Sequence, residues 1–163
     1  HEHGDHYNRA TLKKMVSEQP MLRVGCCAEW FDTLQGRNID RYQIGQVYNY
    51  GSFQVSPVKL YHDVPNCGYR IFKGETKIFH ATDTAHLEGI TAKNYDLYAI
   101  EHNYDEDTIG ETITRKTEAG EFAYQRGAMN THLSEQQARD FIFHNRAPWS
   151  KVLRLHESQI VKV

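Results

Sequence analysis

Residues 1–6 of the 163-residue chain read His-Glu-His-Gly-Asp-His, its densest run of metal-ligating side chains. If His1 and His3 end a strand, the two-residue period of a strand points both imidazoles to one face, where they can share an ion. The glycine then allows a tight turn, from which Asp5 and His6 can hold a second ion beside the first. A purification tag, the alternative explanation, would run as consecutive histidines without an aspartate. The hexapeptide therefore predicts a metal site.

Two ions need more ligands than six residues supply, and later parts of the chain offer isolated histidines and aspartates. Three apolar, strand-like segments carry them: residues 58–64 with His62 and Asp63, residues 78–84 with Asp83, and residues 151–158 with His156. A lone histidine at a strand end is most often a structural or surface residue. Their order after the opening hexapeptide favours a shared site instead.

This order of residues resembles the metallo-β-lactamase-fold hydrolases, whose signature is H-x-H-x-D-H followed by a lone His, a lone Asp and a final lone His. The resemblance covers nearly the whole chain and implies an α/β fold, the αββα sandwich of that superfamily, with residues 1–163 as one domain. It also implies two divalent metal ions, one held by His1, His3 and His62, the other by Asp5, His6 and His156, with Asp83 as the bridge. Zinc is the default ion, although imidazole and carboxylate ligands also suit manganese and iron.

The strands that open this fold in the superfamily have no counterpart in the sequence. Members of the superfamily begin with several strands before the first ligand, whereas here the first ligand is residue 1. The resemblance therefore predicts a sequence that is incomplete at its N-terminus. The alternative is a split domain in which a partner chain supplies those strands.

Two further stretches resemble the branch that contains ribonuclease Z and small exonuclease-like proteins of bacteria and phages. Residues 96–105 look like the strand-plus-acid motif of that branch, and residues 131–134, Thr-His-Leu-Ser, look like its histidine motif at the start of a helix. By analogy, Glu101 and His132 lie near the ions and pass a proton to the leaving group. The second stretch also has a structural interpretation, because its serine and the glutamine three residues later have the spacing of a capping box.

The resemblance thus predicts a dinuclear, metal-dependent phosphodiester hydrolase, a nuclease that acts on DNA or RNA through a hydroxide bridging the ions. Asp83 is expected to orient that nucleophile, and His132 backed by Glu101 to protonate the leaving oxygen. Two alternatives stay open. One is a thioester or lactone hydrolase that uses the same ions, and the other is a non-catalytic metal-binding or scaffold protein.

The overall charge of the chain does not by itself indicate a nucleic-acid partner. Nineteen Lys and Arg against 21 Asp and Glu give a net charge of −2, whereas proteins that coat nucleic acid are strongly basic. Local candidates for phosphate contacts are Lys13 and Lys14, Arg37 and Arg41, and Arg115, Lys116 and Arg126. Residues 104–129 are expected to form a helical flap over the cleft, with Tyr124 available to stack a base.

Cysteine usage and hydropathy suggest the compartment. Cys26, Cys27 and Cys67 form neither an even set nor a C-x-x-C pair, which favours a reducing compartment such as the cytoplasm. No stretch reaches the roughly 18 apolar residues that a membrane span needs, so no membrane partner is expected. The oligomeric state stays open, a homo-oligomer included.

Hydrophobic periodicity and turn residues predict the remaining elements. Helices are expected over residues 7–19, 26–34 and 134–145, and strands over residues 21–25, 43–47, 52–55, 58–62, 69–72, 77–81, 95–101 and 151–158. Residues 73–76, Lys-Gly-Glu-Thr, are a hairpin turn signal between two of these strands. Strands that alternate with helices in this way fit a layered α/β sandwich.

Overall fold

The computed structural model describes residues 1–27 and 38–157. The helices are α1 (Arg9–Glu18), α2 (Glu106–Glu118), α3 (Gln125–Thr131) and α4 (Glu135–Asn145). The strands are β1 (Val24–Cys27), β2 (Ile39–Tyr42), β3 (Tyr48–Asn49), β4 (Gln54–Leu60), β5 (Asn66–Lys73), β6 (Thr76–Ala81), β7 (Leu97–Glu101) and β8 (Lys151–Leu155). Within the described ranges, no helix has the length and apolar character that a membrane span requires.

A six-stranded sheet in the order β3-β4-β5-β6-β7-β8 is the largest element of the molecule. Neighbouring strands from β3 to β6 are antiparallel, whereas β6, β7 and β8 are parallel. Because two antiparallel steps separate β4 from β6, β4 runs in the same direction as β6, β7 and β8. The C-terminal ends of these four strands therefore meet at one edge of the sheet, the usual place for a ligand site in α/β folds.

Each face of this sheet carries its own apolar cluster. On one face, Phe79, Tyr98 and Ile100 are fully buried in a cluster that includes Ala138 and Ile142 of α4. The other cluster joins β4 and β5 to the two-stranded parallel sheet formed by β1 and β2, through Cys27, Tyr42, Val55 and Cys67. The six-stranded sheet thus lies between a helical layer and a second sheet, which confirms the predicted α/β sandwich.

Helix α4 begins at the capping box that its sequence predicts. The hydroxyl oxygen of Ser134 accepts a hydrogen bond from the backbone N–H of Gln137 (3.0 Å), and the Gln137 side-chain oxygen accepts one from the backbone N–H of Ser134 (2.9 Å). The helix predicted over residues 134–145 is therefore confirmed. Since His132 lies two residues before Ser134, this cap also restrains the backbone that carries the histidine.

The strand predictions before β5 are wrong in two respects. Residues 43–47 are not a strand, because the backbone N–H of Gln46 donates to the carbonyl oxygen of Gln43 (3.1 Å) and Gly45 has a left-handed φ of 87°, both features of a turn. The two strands predicted over residues 52–55 and 58–62 are the single strand β4, which continues through Pro57. Among the described residues β3 pairs only with the first two residues of β4, so no neighbour on that side needs the N–H that Pro57 lacks.

Other predictions are met in part or fall outside the described residues. Cys26 and Cys27 belong to β1 and not to the helix predicted over residues 26–34, and residues 28–34 lie outside the described ranges, as does Arg37. The turn predicted at residues 73–76 is confirmed, because it connects the antiparallel strands β5 and β6. Most of the segment predicted to be a helical flap is helical, in α2 and α3.

Candidate metal centre

Four polar side chains follow the four strands whose C-terminal ends share one edge of the sheet. His62 lies two residues after β4, Asp83 two residues after β6, and His156 directly after β8, whereas Glu101 is the last residue of β7. Asp83 and Glu101 are almost completely buried, with 1% and 0% of their surfaces exposed. The sheet topology therefore brings together residues that are widely separated in the sequence.

The opening hexapeptide lies against this edge of the sheet. The Nε2 atom of His6 is 2.9 Å from Oδ2 of Asp83, and Nδ1 of His3 is 3.3 Å from Nε2 of His62. The rings of His1 and His6 lie 4.4 Å apart between centroids. The side chains that the sequence nominates as metal ligands thus lie close together in space, from the first residue to His156.

Three imidazoles form a first group at this edge. One nitrogen each of His1, His3 and His62 lies within 4.8 Å of the other two. The carbonyl oxygen of Thr131 can only accept, so Nδ1 of His62, 2.8 Å away, donates to it, and Nε2 is the nitrogen that faces the other imidazoles. The Nε2 atom of His1 is buried and has no hydrogen-bond partner among residues 1–27 and 38–157. A buried polar atom without a partner is costly, and a metal ion bound by all three nitrogens would satisfy it.

A second group surrounds the carboxylate of Asp83. Its Oδ2 faces His6, and its Oδ1 lies 2.8 Å from Nδ1 of His156 and 3.3 Å from Nδ1 of His132. Asp5 joins this group through His6, with 3.5 Å between its Oδ2 and the His6 Nε2 atom. Asp83 thus contacts three histidines through its two oxygens.

The backbone is strained at two of these residues. Asp83 has a φ of 56° and His156 a φ of 47°, in the left-handed region that side chains other than glycine rarely adopt. Such conformations cost on the order of 1–3 kcal/mol each and persist where the surrounding structure imposes them, most often at functional sites. Both residues lie just beyond a strand end, where the chain turns and aims the side chain at the hexapeptide.

Asp83 and His156 form an ion pair that moves their pKa values apart. Burial by itself would raise the pKa of Asp83, but the hydrogen bond from His156 and the charges of His156, His6 and His132 outweigh it and lower the pKa to about 2. The hydrogen bonds to Asp83 and Glu101 raise the pKa of His156 to about 10. Asp83 is therefore an anion, the form in which a carboxylate binds a cation.

Glu101 and His132 form a hydrogen-bonded pair next to Asp83. The Oε1 atom of Glu101 accepts hydrogen bonds from the backbone N–H groups of Thr84 (2.7 Å) and Leu133 (3.0 Å). Its Oε2 atom lies 3.0 Å from Nδ1 of His132. Burial alone would raise the pKa of Glu101, yet the hydrogen bonds from His132 and His156 and the N–H of Thr84 outweigh it and lower the pKa.

Sequence reasoning assigned no role to Asp63, which also lies at this edge. Its Oδ1 atom is 3.1 Å from Nε2 of His62 and 3.3 Å from Nε2 of His3. In a strand, neighbouring residues point to opposite faces, so a residue adjacent to a ligand is passed over. Because β4 ends at Leu60, that alternation does not hold at residues 62 and 63. The His-Asp pair directly after a strand end was the signal that could have found it.

Structural similarity identifies the fold, whereas no protein-family model and no curated protein matches the chain. The metallo-β-lactamase fold protein YhfI from Bacillus subtilis matches 96% of this chain with a TM-score of 0.67 and 17% identity. A Parabacteroides distasonis protein provisionally named a metal-dependent hydrolase matches 97% of the chain and 74% of its own length, with a TM-score of 0.51 and 12% identity. Human tRNase Z, short form, matches 69% of this chain and 38% of its own length at 20% identity, with a TM-score of 0.46 that is too low to support an argument.

The chain has the metallo-β-lactamase fold, as its sequence predicts. It spans 61% of the length of YhfI. The identities are below 25%, so these similarities establish the fold and not the activity. The activity depends on the side chains at the edge of the sheet.

Proposed function

We propose that the protein is a phosphodiesterase that depends on two divalent metal ions, and specifically a nuclease acting on DNA or RNA. One ion would be held by His1, His3 and His62, and the other by Asp5, His6 and His156, with Asp83 between them. Zinc, manganese and iron all suit these nitrogen and oxygen donors. The buried, unsatisfied nitrogen of His1 and the anionic Asp83 support this assignment. When bound, two such ions activate a water molecule and neutralise charge on phosphoryl oxygens.

The Glu101–His132 pair beside Asp83 is the observation that favours a nucleic-acid phosphodiester as the substrate. When a phosphodiester bond of a nucleic acid breaks, the leaving group is a sugar oxygen, which is strongly basic and needs a proton. The Nδ1–H of His132 donates to the buried carboxylate of Glu101, which orients the ring, so Nε2 is the nitrogen available to deliver this proton. The thiolate that leaves from a thioester needs no such donor, so the pair favours the phosphodiester over the thioester; the alkoxide that leaves from a lactone would use the donor as well, and the assays below separate that case.

A comparison of two leaving groups tests this role. The His132→Asn variant should cleave single-stranded oligonucleotides roughly 10²- to 10⁴-fold more slowly than the unaltered protein, because the sugar oxygen leaves without its proton. Cleavage of bis(p-nitrophenyl) phosphate should fall by less than about tenfold, since nitrophenolate is weakly basic. Rates are measured with Mn²⁺ or Zn²⁺ on DNA, RNA and the small diester.

The control is His144→Asn, the same substitution at an exposed position of α4, which should leave both rates unchanged. An equal loss on both substrates in the His132 variant would contradict the proton-donor role. Thioester and lactone substrates are assayed in parallel. If they are hydrolysed and no phosphodiester is cleaved, the alternative hydrolase is correct, and if no substrate reacts with any ion, the protein is a non-catalytic binder.

Two features of the chain outside the metal centre support a nucleic-acid substrate and a reducing compartment. Tyr124, at the start of α3, is half exposed, and the ammonium group of Lys116 lies 4.5 Å from the centre of its ring. An aromatic ring beside a cation suits a base and its phosphate, and we assign this part of the helical segment to the substrate. Cys26, Cys27 and Cys67 form no disulfide, which is consistent with the cytoplasm.

A further inference from the structure

We infer that Asp63 is an additional metal ligand, which gives the ion held by His1, His3 and His62 an oxygen donor. This inference rests on the proposed metal site and extends it, because the sequence signature contains no such residue. The carboxylate of Asp63 lies next to His62 in the chain and is half exposed, with 54% of its side-chain surface accessible. It therefore approaches the imidazole group from the solvent side.

The orientation of the His62 ring directs one nitrogen at Asp63 and His3. Its Nδ1 atom lies 2.8 Å from the carbonyl oxygen of Thr131, which leaves Nε2 to face the other side chains. That nitrogen faces Oδ1 of Asp63 at 3.1 Å and Nδ1 of His3 at 3.3 Å. Two further potential ligand atoms thus lie within 3.3 Å of the His62 nitrogen, close enough for one cation to be bound by all three.

The separations of these atoms match those around a single metal ion. Nitrogen and oxygen ligands lie about 2.0–2.2 Å from a divalent ion, so two ligands at 90–109° are about 2.8–3.6 Å apart. Both contacts of the His62 Nε2 atom, with Asp63 and with His3, fall in that interval. The side chain of His62 is only 2% exposed, so water reaches this nitrogen poorly and a metal ion is the partner that suits it.

An alternative role for Asp63 is to orient His3. The same Oδ1 atom lies 3.3 Å from Nε2 of His3, the ring nitrogen opposite the one that faces His62. A carboxylate that accepts from the outer nitrogen of a ligating histidine fixes its tautomer without touching the ion. The Asp63→Asn variant separates the two roles. Its amide oxygen can still accept a hydrogen bond from His3, but it is a poor metal ligand.

Metal binding by three variants distinguishes these roles. The proteins are freed of metal with a chelator, and Mn²⁺ and Zn²⁺ affinities are measured by competition with a fluorescent chelator. With Asp63→Asn, one of the two binding events should weaken at least about tenfold and the other should not change. The loss should be larger for Mn²⁺, which prefers oxygen ligands, than for Zn²⁺. Asp63→Ala should resemble Asp63→Asn, and the exposed Asp140→Asn is the matched control.

The visible absorption of bound Co²⁺ supplies a second readout that does not depend on hydrolysis. Loss of a ligand in Asp63→Asn should change the intensity of the Co²⁺ bands at one site. If Asp63→Asn binds metal as the unaltered protein does and only Asp63→Ala is weakened, the ligand assignment is overturned in favour of orientation of His3. Unchanged affinities and spectra in both variants leave Asp63 without either role. A protein that binds two ions but cleaves no phosphodiester overturns the proposed function and not this inference.

Discussion

At the scale of single residues, the carboxylate of Asp83 is the point on which the candidate site depends. It is buried, its backbone is left-handed, and its two oxygens face histidines from three different parts of the chain. Asparagine tolerates the same backbone conformation and has nearly the same shape. The Asp83→Asn substitution therefore removes the charge while it keeps the geometry.

The Asp83–His156 pair predicts how the stability of the metal-free protein depends on pH. Because the folded-state pKa of Asp83 is lowered from 3.8 to about 2, its contribution is complete above about pH 4 and is lost as the pH falls towards 2. The folded-state pKa of His156 is raised from 6.5 to about 10, so its contribution is complete below about pH 6.5 and is lost as the pH rises through 10. Both contributions are complete between about pH 4 and about pH 6.5. In that range the free energy of unfolding, measured with urea in the presence of a chelator, should differ most between the unaltered protein and Asp83→Asn. A difference that is the same at every pH would contradict the ion pair.

The sequence was sufficient to nominate residues that the fold brings together and not to describe their surroundings. His1, His3 and Asp83 could be selected because their residue types recur at fixed spacings in one superfamily. Asp63 was noticed beside His62 but received no role, because its contacts with His3 and His62 depend on the path of the chain after β4. Backbone strain at Asp83 is likewise a property of the turn in three dimensions and has no signature in residue type.

At the scale of secondary-structure elements, the start of α4 links stability to the site. The Ser134 side chain is fully buried, caps the helix and also hydrogen-bonds to the carboxylate of Glu106 at the start of α2. The residues just before this cap are His132 and Leu133, which both contact Glu101. The capping box thus fixes the position of His132, the proposed proton donor, relative to the carboxylate of Glu101.

The Ser134→Ala variant should lose about 1–2 kcal/mol of unfolding free energy, because the cap is removed and the Glu106 carboxylate loses a donor. Gln137→Ala is the control, since it removes only the reciprocal hydrogen bond at an exposed position and should cost less. Urea unfolding followed by circular dichroism measures both. Equal losses in the two variants would show that the serine hydroxyl contributes nothing of its own.

Helices, strands and turns could be predicted from the sequence where neighbouring residues determine them. The capping box and the turn at residues 73–76 are local signals, and both are found in the structure. The strand expected at residues 43–47 is not found, because Ile44 and Val47 are three residues apart and do not alternate as in a strand, and Gly45 between them has a left-handed backbone. The single strand β4 was divided because the sequence does not reveal that Pro57 lies beside an edge without a further strand.

At the scale of the whole molecule, the order of strands creates the candidate site. No sequence pattern states that β4 runs parallel to β6, β7 and β8, and only that arrangement places His62, Asp83 and His156 at one edge. The resemblance to a superfamily supplied this information indirectly. The predicted sandwich was correct for that reason and not because periodicity defines a topology.

Bound metal should stabilise the whole fold, because the nominated ligands come from both ends of the sheet-forming chain. Saturation of one site at a hundred times its dissociation constant adds about 2.7 kcal/mol. In a domain of this size that amount raises the Tm by about 5–10 °C. Calorimetry with Mn²⁺ or Zn²⁺ against a chelator-treated sample measures the shift, which should be much smaller in Asp83→Asn. A Tm that does not respond to either ion would exclude a folded metal centre.

The parallel arrangement of the strand ends also has a kinetic consequence. His1 and His156 can approach each other only after β4, β6, β7 and β8 have aligned, so their encounter closes a loop of nearly the entire chain. Contacts between residues so far apart in the sequence form late, because closing a loop of that length costs entropy before the contact is made. A refolding polypeptide should therefore acquire its helices and its β5–β6 hairpin well before it becomes able to capture cations.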